Sequence, residues 1–195
     1  MSRQVHVRFC EQRGGKFPPL TLLLDNPKDL WDLIASKRKT EWRRLCNQHS
    51  LHRFKDLAYD RLWHISKGMV EHYDGDGRKV ISKNSPTLTR LRLEKLGFGD
   101  QISRMIVGAF KDHKLLRGKG DVKADVHVRR ALGRLVNGQM LSEMEAALLS
   151  REIHPRDPWL LDAPLWRLGK DYCHLNEPKC LECPVRELCE HTAYE

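Results

Sequence analysis

The stretch S-P-T-L-T-R-L-R-L-E-K-L-G-F-G-D-Q-I-S-R-M-I-V-G-A-F, residues 85–110, contains two helical segments joined at Leu96-Gly97-Phe98-Gly99. Ser85 and Pro86 form a typical helix start, and Ile102–Phe110 has the apolar spacing of a second helix. The two glycines permit a tight turn, although such a pair is more often an ordinary helix end. The first amides of the second helix point outward, where a phosphate can accept their hydrogen bonds. The stretch therefore predicts a helical hairpin with a site for a phosphate.

Helix periodicity continues on both sides of the hairpin, and convincing strand patterns are nearly absent. Apolar residues recur at three-to-four spacing from Lys28 to about Cys46 and over 51–73, 126–135 and 141–153. The exception is a possible short strand at Val5–Phe9. The sequence predicts an all-α protein of three parts. These are an N-terminal segment at 1–28, a helical domain at 29–135 with the hairpin at about 88–110, and a C-terminal helical domain at 136–195.

Four of the six cysteines lie close together near the end of the chain, with the spacing C-x6-C-x2-C-x5-C. Thiolates from one such stretch can converge on a single tetrahedral zinc ion or on an iron–sulfur cluster. The wide outer spacings favour the cluster, because a structural zinc site more often uses two short hooks. Zinc and unliganded buried thiols remain alternatives. The candidate ligands are Cys173, Cys180, Cys183 and Cys189, whereas Cys10 and Cys46 are predicted to be core thiols.

A third pattern, A-D-V-H-V-R-R-A-L-G-R-L, occupies Ala124–Leu135 and predicts a helix that begins after Asp125. An aspartate in this place is typically an N-cap, whose carboxylate accepts hydrogen bonds from the first amides of the helix. A carboxylate held there is fixed in position and kept ionised by the helix dipole. An N-cap role for Asp125 is therefore compatible with a catalytic one.

Together these patterns resemble the helix-hairpin-helix DNA glycosylase superfamily over about residues 95–190. The cysteine spacing, with Leu168–Cys173 before it, is similar to the iron–sulfur loop of endonuclease III and the adenine glycosylases. Leu96–Gly99 resembles the family hairpin L-P-G-V-G. Ala124–Leu135 resembles the family segment V-D-T-H-V-x-R-V-x-x-R-L, in which the aspartate is the catalytic acid. The resemblance implies a helical barrel domain, a domain with a [4Fe–4S] cluster on the four cysteines, and Asp125 as the catalytic residue.

The resemblance further implies a DNA base-excision glycosylase, which hydrolyses the N-glycosidic bond of a damaged or modified base in double-stranded DNA. Bifunctional members carry a nucleophilic lysine where this chain has Gln101, and glutamine cannot form a Schiff base. We therefore expect a monofunctional hydrolase without AP-lyase activity. The 25 residues from Gln101 through Asp125 exceed the usual family spacing. The family motif that helps to shape the base pocket has no clean match in residues 1–94, so the sequence does not name the base.

The balance of charge favours a polyanionic partner. The chain has 35 lysines and arginines against 26 aspartates and glutamates, a formal charge of +9. Residues 36–55 carry a net charge of +6, and residues 111–134 carry +5. We expect these two stretches and the hairpin to contact DNA. The expected contacts are Gly97, Phe98, Gly99, Gln101, Lys37, Arg38, Lys39, Lys119, Lys123 and Arg129.

The sequence also bears on the compartment. Its apolar runs fall short of the roughly 18 residues of a membrane helix, and Met1–Phe17 lacks the apolar core of a secretory signal. We expect a monomer that does not bind membranes. We expect it to lie in the reducing cytoplasm, associated with the nucleoid or, for a phage protein, in the cytoplasm of the host.

Two other functions fit the same patterns. One is a glycosylase-like transferase acting on modified bases in DNA, a reaction associated with thymine hypermodification in phage genomes. The other is a non-catalytic iron–sulfur module that binds DNA.

Overall fold

A computed structural model describes residues 27–49 and 55–191 of the 195-residue chain. These residues form helices and loops without any strand, so the predicted all-α class is confirmed. The strand expected at Val5–Phe9 lies outside the described residues, as does Cys10. The helices are α1 Pro27–Ser36, α2 Lys39–His49, α3 Lys55–Tyr73, α4 Pro86–Lys95, α5 Asp100–Asp112, α6 Val126–Asn137, α7 Glu143–Ile153 and α8 Asp162–Asp171. In these ranges no helix combines the length and the apolar character needed to span a bilayer.

The helical pattern predicted from Lys28 to about Cys46 forms two helices, α1 and α2, with a break at residues 37–38. The Lys37 amide donates to Ile34 O at 3.2 Å, a tight closing turn. The Lys37 carbonyl accepts instead from Trp63 Nε1 on α3, at 2.9 Å. The helical pattern is confirmed, and the break lies where a tertiary hydrogen bond takes a carbonyl that a continuous helix would have used.

The first three helices surround a small core in which α1 and α2 both pack against α3. Its buried members are Ile34, Trp42, Cys46 and Tyr59. Cys46 is 1% exposed, which confirms the predicted core thiol. Burial raises the pKa of this thiol to about 11.

The hairpin packs on a second core, formed by α3, α4 and α5. Leu93 and Leu96 from the first arm and Val107 from the second arm are buried there. Phe98, in the turn itself, is partly buried against the same cluster. The apolar residue between the two glycines therefore anchors the turn, and both glycines remain exposed.

A third core joins α6, α7 and α8, and α6 packs most closely on α8. A Cβ atom at Gly169 of α8 would lie 2.4 Å from His127 O of α6, so only glycine permits this approach. The core contains Val128 and Leu132 before the expected boundary at 135/136, and Leu141 after it. The division into domains stays a prediction.

Candidate functional site

The backbone conformation requires glycine at one of the two hairpin positions and not at the other. Gly97 has φ +103°, and its amide donates to Glu94 O at 2.9 Å, so it closes α4 as a left-handed helix end. Gly99 has φ −69° and ψ 156°, which any residue can adopt. A Cβ atom at Gly99 would meet nothing within 4 Å. The fold therefore explains the first glycine and leaves the second without a structural need.

Gly99 is the N-cap of α5, and no side chain caps this helix end. Asp100 follows it, held by Arg90 Nη1 at 2.7 Å and Arg104 Nε at 2.8 Å. Although burial opposes the effect, the hydrogen bond from Arg104 and the nearby arginine charges hold the pKa of Asp100 below its usual value. The two guanidinium groups thus neutralise the acid beside the free amides of the helix.

Asp125 is the N-cap of α6, as predicted. Its Oδ1 accepts hydrogen bonds from His127 N at 2.9 Å and Val128 N at 3.2 Å. Its Oδ2 lies 3.3 Å from Lys123 Nζ. The carboxylate is partly exposed and is oriented on both sides, by backbone amides and by an ammonium group.

Gln101 connects the hairpin to α6 through α7. Its Nε2 donates to Glu143 Oε2 at 2.9 Å, and Glu143 Oε1 lies 3.9 Å from Arg129 Nη1. Arg129 is one turn after Asp125 on α6. Gln101 Oε1 is buried and has no hydrogen-bond partner among the described residues. Glu143 was missed at the level of sequence, because no local pattern marks a residue whose contact lies 42 positions away.

Four of the six cations predicted to contact DNA form ion pairs within the chain. These pairs are Lys37–Glu41, Lys39–Asp60, Lys123–Asp125 and Arg129–Glu143. Arg38 and Lys119 are exposed, and neither has an ion-pair partner within the described ranges. Binding a phosphate breaks no internal pair of these two side chains, so they are the best placed of the six for backbone contacts.

The four C-terminal cysteines line one cavity of about 30 Å³. Within the described residues, Cys173, Cys180, Cys183 and Cys189 form no disulfide bond. Burial raises the pKa of Cys180, and the charges of the other three cysteines raise it further. Within the described residues, no group of three or more His, Cys, Asp or Glu side chains is arranged to hold a metal ion. The structure brings the four predicted ligands to one cavity, and their ligand role stays a prediction.

Two arginines of α6 bind the cysteine loop. Arg130 is buried and donates to Gly169 O at 2.8 Å and to Cys173 O. Arg134 Nη1 lies 3.5 Å from Cys173 Sγ and donates to His174 O at 2.6 Å. In the sequence both residues match arginines of the family segment that resembles Ala124–Leu135, but no role was predicted for them beyond positive charge. Their spacing of four residues, which places them on one helix face, is the signal that could have revealed this role.

The hairpin, Asp125 and the cysteine loop therefore all attach to α6. Gln101 reaches this helix through Glu143, Asp125 caps its start, and Arg134 holds the loop near its end. The sequence matches neither a model of any known protein family nor any curated protein.

Proposed function

We propose that this protein is a DNA glycosylase that hydrolyses the N-glycosidic bond of a damaged or modified base in double-stranded DNA. The observation that carries the proposal is the position of Asp125, fixed at the start of α6, the helix whose Arg129 is linked through Glu143 to Gln101 of the hairpin. Base excision needs a docking element for the DNA backbone and an oriented negative charge at the sugar. These two elements are joined in one part of the fold.

The hairpin supplies the docking element. The start of α5 has free amides, no capping side chain, and a glycine with open space above it. A phosphate oxygen can approach such amides closely and is favoured there by the helix dipole. The exposed side chains of Arg38 and Lys119 add charge for further phosphates.

Asp125 supplies the negative charge. As the bond to the base breaks, positive charge develops on the sugar, and a nearby carboxylate stabilises this oxocarbenium-like transition state. Oδ1 of Asp125 is occupied by two amides, so Oδ2, beside Lys123, is the atom best able to face the sugar or orient water. The base must first leave the stack, which costs a few kcal/mol and favours damaged or mismatched bases.

Hydrolysis without a covalent intermediate follows from Gln101. Its amide is not a nucleophile, and its nitrogen already donates to Glu143. Lys123 is the lysine that forms an ion pair with Asp125. Borohydride trapping on substrate DNA should therefore yield no covalent adduct. An adduct that maps to Lys123 would show that this lysine replaces the missing one.

The cysteine loop has the donor set for a [4Fe–4S] cluster. Four cysteines outside any disulfide, around one cavity, suit a group that takes one thiolate at each of four corners; they are Cys173, Cys180, Cys183 and Cys189. A bound cluster would tie the loop together and add a one-electron redox group. Purified protein should contain four iron and four sulfide ions, about the number expected for one cubane. A colourless protein with one zinc ion would refute the assignment.

The function is tested with duplexes that each carry one altered base, such as uracil, hypoxanthine, 8-oxoguanine or a 5-substituted thymine. Asp125→Asn keeps a good N-cap, so the fold should survive while base release falls at least about 100-fold. Asp121→Asn is the control, because this carboxylate lies on the same loop but pairs with Arg104 and Arg151.

The products of the same panel separate the remaining outcomes. Base release that persists unchanged in Asp125→Asn would show that the assigned mechanism is wrong. A base that is modified and not released would favour a transferase. DNA binding with no reaction on any duplex would favour a non-catalytic module.

A further inference from the structure

The loop that leads to Asp125 is held by the segment Asp157–Asp162 through three hydrogen bonds. Gly120 N donates to Asp157 Oδ1 at 2.9 Å, and Trp159 N donates to Gly120 O at 3.2 Å. Lys123 N donates to Asp162 Oδ1 at 2.6 Å. This third bond is the shortest of the three and the closest in sequence to Asp125.

Two different carboxylates hold the backbone amide and the ammonium group of Lys123. Its backbone amide donates to Asp162, the first residue of α8, and its ammonium group pairs with Asp125. Asp162 therefore fixes the main chain from which the Lys123 side chain reaches Oδ2 of Asp125. That atom is the one not held by the amides of α6.

We propose that Asp162 is a positioning residue for the Asp125 carboxylate, an inference that rests on the proposed function of Asp125. In its ionised form Asp162 accepts a charge-assisted hydrogen bond from Lys123 N, which is stronger than the bond to a neutral carboxyl group. It also places a second negative charge near the developing cation. Protonation of Asp162 weakens both effects and leaves the hydrogen bond itself in place.

The groups around Asp162 favour a change in the protonation of its carboxyl group near neutral pH. Burial raises the pKa of Asp162 to about 6, and the negative charges of Asp125 and Asp112 add to the rise. The hydrogen bond from Lys123 and its positive charge oppose it. On the face of α6 that packs on α8, the titratable and charged groups are His127, beside Trp166, and Arg130, which binds Gly169 O.

Asp162→Asn separates charge from geometry, because the amide oxygen can still accept from Lys123 N. In single-turnover base release, wild-type protein should lose rate as the pH falls through about 6, while this variant stays flat over the same range. At pH 7.5 the variant should be slower by about 10-fold to 100-fold, because it lacks the charge-assisted hydrogen bond and the second negative charge near the developing cation. The difference between the two rates should shrink as the pH falls, to about 2-fold to 10-fold at pH 5, where about one tenth of Asp162 is still ionised. Asp162→Glu should restore part of the rate and of the pH dependence.

A second measurement does not depend on the reaction. The amide proton of Lys123 should shift with pH in a titration by nuclear magnetic resonance, with a midpoint near 6, because its acceptor becomes charged. Asp162→Asn should abolish this titration. Asp157→Asn is the matched control: it alters the neighbouring hydrogen bond to Gly120 and should leave the Lys123 midpoint in place.

The outcomes separate this inference from the proposed function. Wild-type protein that releases no base refutes the function, and the Lys123 titration then decides alone whether Asp162 controls this segment. Base release that depends on Asp125 but has the same rate and pH profile in Asp162→Asn refutes the positioning role. A Lys123 amide that still titrates near pH 6 in Asp162→Asn refutes it as well.

Discussion

Replacing Gly99 by alanine separates phosphate binding at the hairpin from folding. The backbone angles of Gly99 suit any residue, and the added methyl group enters open space. Alanine is a poorer N-cap than glycine by up to about 1 kcal/mol. The less flexible unfolded chain offsets this by about 0.4–1 kcal/mol. The free energy of unfolding should therefore change by less than about 0.5 kcal/mol, and the Tm by about 1–2 °C at most.

Gly97→Ala is the contrasting variant on the other side of Phe98. At φ +103° an alanine is strained, which costs about 1–2 kcal/mol. The nearest atom to an added Cβ is Ile65 Cγ1 at 3.8 Å, an ordinary contact, so strain is the main cost. The Tm should fall by about 2–8 °C for a chain of this size.

Gly99→Ala should weaken DNA binding strongly, although it hardly changes the stability of the fold. The methyl group fills open space at the start of α5, through which a phosphate oxygen would otherwise approach the helix. Loss of one charge-assisted hydrogen bond costs about 1.5–3 kcal/mol, which weakens binding by roughly 10-fold to 100-fold.

Fluorescence anisotropy with a labelled duplex at fixed salt measures the Kd, and thermal unfolding of the same samples measures the Tm. A Gly99→Ala variant with wild-type affinity would refute phosphate binding by the hairpin amides. A variant that loses affinity together with several degrees of Tm would show that Gly99 serves the fold.

Three further predictions follow from burial and charge. The raised pKa of Asp162 favours the folded state below about pH 4, and this stability is lost as the pH rises through about 6. Asp162→Asn should therefore raise the free energy of unfolding at pH 7 by about 1 kcal/mol, after allowance for solvent screening. At pH 3.5 it should leave the free energy of unfolding unchanged. Urea unfolding at the two pH values tests this, and equal effects at both would contradict it. With its pKa near 11, the Cys46 thiol should react with an alkylating reagent about 100-fold more slowly than an ordinary thiol. Mass spectrometry that finds Cys46 modified as fast as the cysteine loop of cluster-free protein would argue against its burial. Neutralising Arg38 and Lys119 together should lower the slope of log Kd against log salt by about 1.8, because each phosphate that a cation neutralises contributes about 0.9. Arg43→Ala, which removes a cation already paired with Asp60, is the control and should leave the slope unchanged.

The sequence predicted those parts of the candidate site that depend on neighbouring residues. Asp125 caps α6 through amides two and three positions away, and Ser85 caps α4 through Leu88 N. The hairpin turn and the interval between the four cysteines are also local patterns. Such features can be predicted from the sequence, because a helix start or a tight turn is determined by dihedral preferences and hydrogen bonds over a few residues.

The tertiary structure decided which of these parts meet and which charges remain available. Trp63 binds the Lys37 carbonyl between α1 and α2 from 26 positions away, and Asp162 holds Lys123 from 39 positions away. Likewise, Glu143 takes up Gln101 from 42 positions away. Composition indicated a positive chain, but only the fold showed that most of the predicted contact cations already have internal partners. The physical reason is that such contacts depend on the packing of helices, which brings together side chains whose spacing in sequence carries no period.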